Sequence, residues 1–558
     1  MYDSGHILKS KVGDMKNQDK DIMYRKEAGT SQPSPVIQVI PGSSDGLNTT
    51  EQENRSGLST SPAMTVMEME PASAPKSQAT LVIGLVTYST GITTFLAGVV
   101  TMAIPVITKD LHLPQNLVLW PVTIYSLTCG CTLLICGSIS DVVGSRLMFL
   151  LGCFLQGIST LACGLSKTGT QLIVFRAFSG IAASFCLPSA VSLINEVFPP
   201  GKSRNIAFAS MGGAQPVGFG LGLVLGGIIT GTIGWPWGFY IASISNFLMV
   251  LLCGWQLPRS TYQSETSRNV WQRMVSDIDW AGVTMVSTAL AIISYIIAVV
   301  TGNTSAILLP QNISLLVLSV ALLVAFVFWV GRQERLGRPA LIPNSLWKNK
   351  VFTCICINVF CIWAAFNVFE QYQNFFFQEV QGLSPLEAAI RFLPAPISGA
   401  LTNVVVGLVV HRVRADWIVI STTIPCVIAS VLMAVAKPSW SYWGAAFLAN
   451  LFNPIAADGI FTVSNLLISS MFPPKTQGVA GGVFNTVSQT GKSVGLALTA
   501  LVANQVTQNS AIREKDSPEA LLVGYHSAFW FCVGLTLASL VISVWGLRRI
   551  GNVGIKSE

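Results

Sequence analysis

Long apolar runs alternate with short polar stretches along most of the chain. Fourteen of these runs are long enough to cross a bilayer core, which takes roughly 20 residues of helix. Short connections favour antiparallel neighbours. The pattern predicts an all-α polytopic membrane protein, with transmembrane segments at 79–107, 117–138, 147–166, 171–198, 205–231, 236–257, 278–302, 312–331, 351–378, 386–411, 417–436, 442–470, 477–506 and 526–547.

The two ends of the chain lack this pattern. Residues 1–78 are rich in Ser, Pro, Gly, Asn and charges of both signs, and residues 551–558 are also polar. Such a composition cannot bury enough apolar surface to fold alone. We therefore expect a disordered tail over 1–78, with no cleavable signal peptide.

Positive charge is unequally divided between alternate loops. With the amino terminus in the cytosol, the inner loops and carboxyl tail hold 17 Lys and Arg, whereas the outer loops hold 5. Cytosolic loops carry such an excess, so the division supports fourteen segments and predicts that both termini are cytosolic. The sequons at Asn303 and Asn312 then fall in an outer loop as candidate glycosylation sites.

Composition excludes several classes of protein. Charged residues make up 11% of the chain, against about 25% in soluble proteins. The net charge of +7 is scattered over short loops, so no nucleic-acid partner is expected. The 12 Cys lie in apolar runs without metal-ligand partners, which predicts packing and no metal site. Neither a Walker-type loop nor a catalytic cluster is present, so we expect neither an ATP-driven pump nor an enzyme.

Two parts of the chain repeat one another. The stretches INEVFPPGKSRNIAFASMGGAQPVGFGLGL, from Ile194, and ISSMFPPKTQGVAGGVFNTVSQTGKSVGLAL, from Ile468, both run from a helix end through Phe-Pro-Pro into a Gly-rich helix. Secondary transporters are commonly built from two related halves with the substrate site between them. The repeat predicts two six-helix halves, 79–257 and 351–550, and a linker, 258–350, with two extra helices at 278–302 and 312–331.

The loop GSISDVVGSR resembles the loop after the second helix of major facilitator superfamily transporters. The positions that match its pattern are Gly137, Asp141, Gly144 and Arg146, while two basic residues of that pattern are absent. The resemblance implies a gating loop, in which Asp141 either caps a helix of the other half or pairs with a cation. An ordinary polar turn is the alternative.

The fifth segment carries a glycine pattern that resembles the family's antiporter motif, at Gly218, Gly222, Gly226 and Gly227. Glycines four apart line one helix face and allow close packing. Leu223 replaces the motif's proline, so symport and uniport stay open beside antiport. The glycines therefore form a predicted helix-packing motif.

The fourth segment carries Arg176, in a pattern that resembles the family's R-x-x-x-G motif. An arginine at membrane depth either faces a cavity or partner or snorkels to the surface. The first segment resembles that of fourteen-helix drug/proton antiporters, but Ala97 replaces their aspartate. Another carboxylate must then carry any proton.

Two acids, Glu370 and Asp458, lie deep in apolar runs. Asp458 and Lys492 are each about 16 residues from the turn that joins their segments, which places both about 24 Å from it. We therefore predict an Asp458–Lys492 ion pair, which either only holds helices together or responds to protonation of Asp458. Proton coupling is assigned to Asp458, Glu370, Arg176 and Lys492.

Polar residues around Glu370 interrupt an otherwise apolar run and indicate a cavity wall. The neighbouring phenylalanines serve either as aromatic faces for a ligand or as an interface anchor. The residues predicted to line the substrate cavity are Gln215, Asn367, Gln371, Asn465, Asn485 and Gln489.

The stretches GLSPLEAAIRFLP and AADGIFTVSNLLISSMFPP resemble an outer loop with helix 10, and helix 12, of fungal aminotriazole-resistance-type transporters. The resemblance covers nearly all of 79–550 and is strongest to that group. It implies the major facilitator fold and proton-driven export of small amphipathic compounds by alternating access. It also implies a monomer in the cell membrane, with the vacuolar membrane as an alternative, and no cofactor beyond the proton gradient. A transporter of one polar solute, such as a polyol, ammonium or borate, is the second hypothesis. A non-transporting membrane sensor is the third hypothesis. A sensor would need a long folded cytosolic domain, and the amino-terminal tail lacks the apolar periodicity of one.

Overall fold

The computed structural model describes residues 76–548, except 115–116, 199–201, 257–268, 303, 411 and 473. Within these residues the regular structure is entirely helical. The helices are α1 (Lys76–Asp110), α2 (Trp120–Val143), α3 (Ser145–Gly164), α4 (Gly169–Val197), α5 (Lys202–Thr232), α6 (Pro236–Gln256), α7 (Val270–Ser276), α8 (Trp280–Gly302), α9 (Pro310–Arg335), α10 (Asn344–Lys348), α11 (Lys350–Phe375), α12 (Pro385–Phe392), α13 (Pro394–Val409), α14 (Ala415–Ala434), α15 (Ala446–Met471), α16 (Pro474–Gln508) and α17 (Pro518–Gly546).

The predicted all-α class is confirmed, and each predicted segment is helical. One segment, 386–411, forms two helices, α12 and α13, that meet at Leu393. Pro394 lacks an N–H and its ring clashes with the preceding turn, so it ends one helix and begins the next. Helix α12 begins in a capping box, in which the Ser384 hydroxyl accepts from the Glu387 backbone N–H at 3.3 Å.

Thirteen spans among the described residues are long and apolar enough to cross a membrane, with α12 and α13 counted as one. Helix α16 corresponds to the predicted segment 477–506. It has 35 residues, but it carries Lys492 and many polar side chains and does not reach the same hydropathy. Thirteen crossings are therefore supported by length and composition, and the fourteenth stays a prediction.

In the amino-terminal half, α5 packs closely against α1 through its glycines. A β-carbon at Gly222 would lie 2.0 Å from the Phe95 carbonyl oxygen, and one at Gly218 would lie 2.3 Å from that of Gly91. Gly226 faces α1 in the same way. Only glycine lets the two backbones approach this closely.

The same contact recurs in the carboxyl-terminal half between α16 and α11. A β-carbon at Gly491 would lie 2.6 Å from the Phe360 carbonyl oxygen, and one at Gly495 would lie 2.6 Å from the Ala364 β-carbon. When the two repeated stretches are aligned with a one-residue gap, Gly491 and Gly495 correspond to Gly218 and Gly222. The sequence repeat thus corresponds to a repeated helix pair.

The two halves meet along α5 as well as α1. A β-carbon at Gly227 would lie 2.7 Å from the Ala389 β-carbon, and one at Gly220 would lie 2.7 Å from the Pro396 β-carbon. Gly227 therefore faces the other half of the protein, unlike the three other glycines of the predicted motif. Helices α2 and α16 also pack together, with Gly130 beside Gln489.

The inserted helices α8 and α9 lie beside the junction of the halves. Helix α8 packs against α2 and α16, and the Ser287 hydroxyl donates to the Cys131 carbonyl at 2.8 Å. Asp279 joins the pair by accepting from the Trp329 indole at 2.8 Å. Helix α9 exposes apolar residues, with Phe328 76% exposed. Such a face suits contact with lipid.

Candidate functional site

One face of α11 carries Glu370 and some of the polar side chains that surround it in the sequence. Trp363, Asn367, Glu370 and Asn374 follow one another at three- or four-residue steps, so they share a face. Helix α11 continues beyond Phe375 as a π-helical turn, Phe376–Val380. Such turns often occur at functional sites.

Glu370 lies at the centre of this face. Its side chain is 5% exposed, and its Oε1 has no hydrogen-bond partner among the described residues. Lys492 of α16 and Asp458 of α15 are both close enough to interact with it electrostatically. Glu370 is thus the acid that connects the three buried charges.

Lys492 is held by an aromatic ring. Its Nζ lies 4.1 Å from the centroid of the Trp363 ring. Trp363 packs edge-on against Phe366 and Phe461, with centroids 5.6 and 6.4 Å away. A cation over a tryptophan face gains about 0.5–2 kcal/mol. The ammonium group therefore has a partner without a carboxylate in contact.

The predicted Asp458–Lys492 ion pair is absent. None of the ion pairs within 4.0 Å among the described residues includes either side chain. Asp458 Oδ1 instead accepts from Asn403 Nδ2 at 2.9 Å, and Asn403 Oδ1 accepts from the Thr462 hydroxyl at 2.7 Å. Asn403 takes the position that we assigned to the lysine.

Several buried polar atoms in this layer have no hydrogen-bond partner among the described residues. They belong to Trp363, Asn367, Glu370, Gln371, Gln373 and Gln489. An unsatisfied buried polar group costs about 1–3 kcal/mol. A concentration of them therefore points to a ligand, water or proton site.

The remaining predicted cavity residues lie on α5, α15 and α16. Asn485, Gln489 and Lys492 share a face of α16, and Asn485 donates to the Gly481 carbonyl at 3.0 Å. Asn465 follows Asp458 by seven residues and is exposed. Gln215 is half-buried on α5, next to Pro216, which lies beside Gly399 of α13.

A set of hydrogen bonds crosses from α11 to α1 at the end of α1 that is predicted to be outside. Gln371 Nε2 donates to the Thr101 hydroxyl at 2.7 Å, and Asn374 Nδ2 donates to the Thr101 carbonyl at 2.6 Å. Gln378 Nε2 donates to the Met102 carbonyl at 3.0 Å. These bonds, here called the outer gate, hold the two halves together at this end. Gln371 thus takes part in a contact between the halves.

Arg176 is separated from the acids with which the sequence grouped it. It is 3% exposed, its Nε donates to the Pro121 carbonyl at 2.9 Å, and its guanidinium lies 4.6 Å from the Tyr125 ring centroid. It therefore does not snorkel. Its contacts fasten α4 to α2.

The predicted gating loop forms the turn between α2 and α3. Gly144 has φ +108° and ψ 138°, a conformation that side chains disfavour. Arg146 donates to the Gly254 carbonyl at 3.2 Å, within its own half. Asp141 is exposed and forms no ion pair within 4.0 Å of a described residue, and Gly137 packs beside Pro188. The predicted latch between the halves is not formed in this conformation.

The structure also bears on the predicted glycosylation sites. Asn312 is 1% exposed, and its amide donates to the Ala306 carbonyl at 2.6 Å. A glycan needs an exposed amide, so the prediction for Asn312 is wrong in this conformation. Asn303 lies outside the described residues.

Sequence reasoning missed three residues of this region: Trp363, Asn403 and Thr101. Trp363 lies seven residues before Glu370, so helical periodicity would have placed it on the same face. Asn403 and Thr101 lie on other helices, and their pairing depends on tertiary packing. No group of three or more metal-ligating side chains occurs among the described residues.

Several known proteins are similar to this chain in sequence or in architecture. The model of the Major Facilitator Superfamily matches residues 81–496. MFS-type transporter 1 of Pyricularia oryzae is 36% identical over 571 residues, which cover 94% of this chain and 90% of that protein. The aminotriazole resistance protein of Saccharomyces cerevisiae is 27% identical, over 77% of this chain and 76% of that protein.

A low affinity ammonium transporter of Saccharomyces cerevisiae is 26% identical, over 75% of this chain and 78% of that protein. Among solved structures, a bacterial homolog of the human lysosomal transporter Spinster matches with a TM-score of 0.56 at 14% identity, covering 86% of this chain and 99% of that chain. At this identity the match shows a shared fold.

Proposed function

Because the chain belongs to the major facilitator superfamily, and is a multi-pass membrane transporter, we propose that it exports small amphipathic compounds in exchange for protons. Drugs, toxins and secondary metabolites are the substrate class. Export proceeds by alternating access, in which the two halves rock about the layer of Glu370, Lys492 and Asp458. The resistance protein among its relatives supports export.

The observation that carries the proposal is the environment of Glu370. A carboxylate that is 5% exposed, with one oxygen unpartnered among the described residues, is costly at membrane depth. Binding a proton or a cationic group relieves that cost. The same layer holds the Trp363 ring and amides whose oxygens lack a partner among the described residues, which suits an amphipathic ligand.

The coupling follows from competition at this layer. When Glu370 is ionised, it attracts Lys492, which the Trp363 ring holds nearby. When Glu370 takes a proton, that attraction ends and Lys492 is free to change partners. Asp458 is already held by Asn403, so we assign it to positioning α13 against α15 and assign the proton to Glu370.

The outer gate is the part of the protein that alternates between a closed and an open state. Its hydrogen bonds to Thr101 and Met102 exist only while α1 and α11 are together at this end. Gln371 and Asn374 follow Glu370 on α11 by one and four residues. A change at Glu370 is thus transmitted along one rigid helix to the gate.

We also propose that the protein lies in the cell membrane with both termini in the cytosol.

The test is uptake of a compound panel into everted membrane vesicles, with and without a protonophore. The proposal expects uptake of amphipathic compounds that the protonophore abolishes. Glu370→Gln should abolish it too, whereas Glu334→Gln, an exposed acid at the end of α9, should not. Protonophore-insensitive uptake would refute proton coupling.

A second candidate is transport of one small polar solute, which the related ammonium transporter favours. Radiolabelled methylammonium in the same vesicles separates the two. Uptake of methylammonium without uptake of any amphipathic compound would establish the second candidate. The aromatic rings beside Lys492 favour the first.

A further inference from the structure

A narrow cleft enters the bundle at the end that is predicted to be outside. Helices α2, α8, α11, α16 and α17 form its wall, together with Lys515 and Asp516 of the loop between α16 and α17. Its volume is about 100 Å³. One water molecule needs about 10–15 Å³ of such space, whereas ligand pockets have about 300–1,000 Å³. The cleft, here called the outer cleft, therefore suits a few water molecules and excludes a bulky ligand.

The outer cleft leads towards the buried charges. Its wall follows α16 inwards from Gln508, the last residue of the helix, to Ser493, the residue after Lys492. At about 1.5 Å per residue this stretch spans roughly 22 Å. The cleft thus connects the outer loops with the neighbourhood of Lys492.

One face of α16 forms much of the wall. Ser493, Ala497, Ala500, Asn504 and Thr507 follow one another at three- or four-residue steps, and all of them line the cleft. The two alanines leave room in the middle of this face, and polar side chains lie at both of its ends. Such a face leaves a narrow passage beside the helix.

The polar side chains on this face lack a partner in the described part of the chain. The side chains of Ser493, Asn504 and Thr507 form no hydrogen bond with a described residue. Ser493 is nevertheless 2% exposed and Thr507 7% exposed. Buried polar groups are almost always hydrogen-bonded, and ordered water bonds to them where the protein does not. These side chains therefore indicate water along the cleft.

A carboxylate lies in the same wall. Glu379 belongs to the π-helical turn Phe376–Val380, and its Oε2 accepts a hydrogen bond from the Tyr525 hydroxyl. Its other oxygen forms no hydrogen bond with a described residue, so it is available to water. A carboxylate in contact with water can accept a proton and pass it on.

The charges around the cleft balance one another. Glu379 and Asp516 are opposed by Lys515, which lies in the wall, and by Lys109, which interacts with Glu379 electrostatically. No excess of negative charge is left to concentrate larger cations. A proton can still move from one water molecule to the next, because this movement needs no free space of its own.

The outer cleft is separate from the outer gate. Phe375 and Glu379 of α11 line the cleft, whereas Asn374 and Gln378 of the same helix form bonds of the gate. Helix α11 thus presents one face to each. In this conformation the gate is closed, while the cleft reaches the outer loops.

We propose that the outer cleft is the path by which protons from outside reach the central charges while the gate is closed to the exported compound. A proton passes from one water oxygen to the next, past Glu379 and the α16 hydroxyl groups, and ends on the Glu370 carboxylate. No other bond changes. The inference rests on the proposed function, which assigns the coupled proton to Glu370.

Two features suit a path for coupled protons. Lys492 lies next to the inner end of the cleft, and its positive charge opposes a proton that would pass through the protein freely. The inserted helix α8 closes one side of the cleft with Ser294 and Ile297. The inserted helix pair then has a role, which is to keep lipid out of the path.

X-ray hydroxyl-radical footprinting of the purified full-length protein in nanodiscs tests whether the cleft holds water. The radicals form from water and oxidise the side chains beside it. Phe375 in the cleft wall is 4% exposed, and Phe369 of the same helix, outside the wall, is 1% exposed. Phe375 should be oxidised at least tenfold faster than Phe369. Equal rates would show a dry cleft and overturn the proposal, whether or not the protein transports.

Substitutions on α16 test whether this water carries protons. Ala500 lines the cleft, whereas Leu498 is 37% exposed and lies outside the cleft wall. In liposomes with a trapped pH-sensitive dye, Ala500→Trp should slow compound-driven proton movement at least tenfold. Leu498→Trp should leave it within twofold. Equal rates in Ala500→Trp and the unmodified protein would contradict the path.

A second pair of variants decides the matter if thermal unfolding shows that Ala500→Trp is not folded. Asn504→Leu removes a polar side chain from the wall with little change in volume, whereas Gln505→Leu changes an exposed neighbour outside the wall. Asn504→Leu should lower both the oxidation of Phe375 and the proton movement at least threefold, and Gln505→Leu should lower neither. Equal effects of the two would contradict the path.

The failure of the path and the failure of the proposed function give different results. If the unmodified protein moves no protons, the proposed function fails, and the path fails with it. If the unmodified protein moves protons and the wall variants move them equally fast, the path alone fails.

Discussion

Replacing Thr101 with valine should shift the protein towards a conformation in which the outer gate is open. The Thr101 hydroxyl accepts from Gln371 across the halves at 2.7 Å and donates to Ala97 within α1 at 2.9 Å. Valine has nearly the same shape and neither bond. The Asn374 bond to the Thr101 backbone carbonyl remains.

The size of the shift follows from the hydrogen bonding that the closed state loses. A net hydrogen bond contributes about 0.5–1.5 kcal/mol, and a buried amide left unpaired adds to that cost. Gln371 already has one unpartnered atom, Oε1, so Thr101→Val leaves both ends of its amide unsatisfied. An expected loss of about 1–2 kcal/mol shifts the closed–open equilibrium roughly 5- to 30-fold.

Thr108→Val is the matched control on the same helix. Among the described residues, the Thr108 hydroxyl bonds only to the Ile104 carbonyl within α1, at 2.8 Å. Both substitutions therefore remove a local helix bond, and only Thr101→Val removes a bond between the halves. The difference between the two variants isolates the gate.

Spin labels on Lys109→Cys and Lys437→Cys report the separation of the halves at this end. Both positions are exposed, and they belong to different halves. Pulsed electron paramagnetic resonance in nanodiscs should show a longer-distance population that grows in Thr101→Val but not in Thr108→Val. Equal distance distributions in the two variants would refute the gate.

Other substitutions give sharp expectations. Gly222→Ala should lower the melting temperature and the yield of folded protein, because the new β-carbon would lie 2.0 Å from the Phe95 carbonyl oxygen. Gly231→Ala is the control and should be neutral, because its β-carbon would meet no neighbouring group within 4 Å. Normal melting of Gly222→Ala would contradict the packing. Lys492→Met should abolish export because it leaves the α11 acid without its cation, and Lys492→Arg should retain part of it. Equal export in these two variants would contradict that role. Asn312→Gln should leave the electrophoretic mobility unchanged, both before and after endoglycosidase treatment, because a buried Asn312 carries no glycan. Loss of a glycan in this variant would show that Asn312 is exposed.

The lengths of the apolar runs predicted the helices well, because a helix that crosses a membrane must be both long and apolar. They did not predict the break at Pro394, where the apolar run continues although the backbone hydrogen bonding cannot. The prediction also treated 477–506 as an ordinary span. The helix there, α16, is less apolar because one face lines the polar layer.

The site was predicted less completely. Counting residues from a shared turn gave Asp458 and Lys492 similar depth, but depth does not fix rotation about each helix axis. Packing instead turned Asp458 towards Asn403 and Lys492 towards Trp363. The relation of Glu370 to Asn367 and Asn374 was easier to predict, because helical periodicity alone puts the three on one face of a single helix.

The central claim is that Glu370 carries the proton that drives export. It is tested most directly in liposomes that contain the purified protein and a trapped pH-sensitive dye. Adding a compound identified in the vesicle panel should move protons in the opposite direction in the unmodified protein and in Asp458→Asn, and should move none in Glu370→Gln. Proton movement that persists in Glu370→Gln, or that disappears only in Asp458→Asn, would contradict the account.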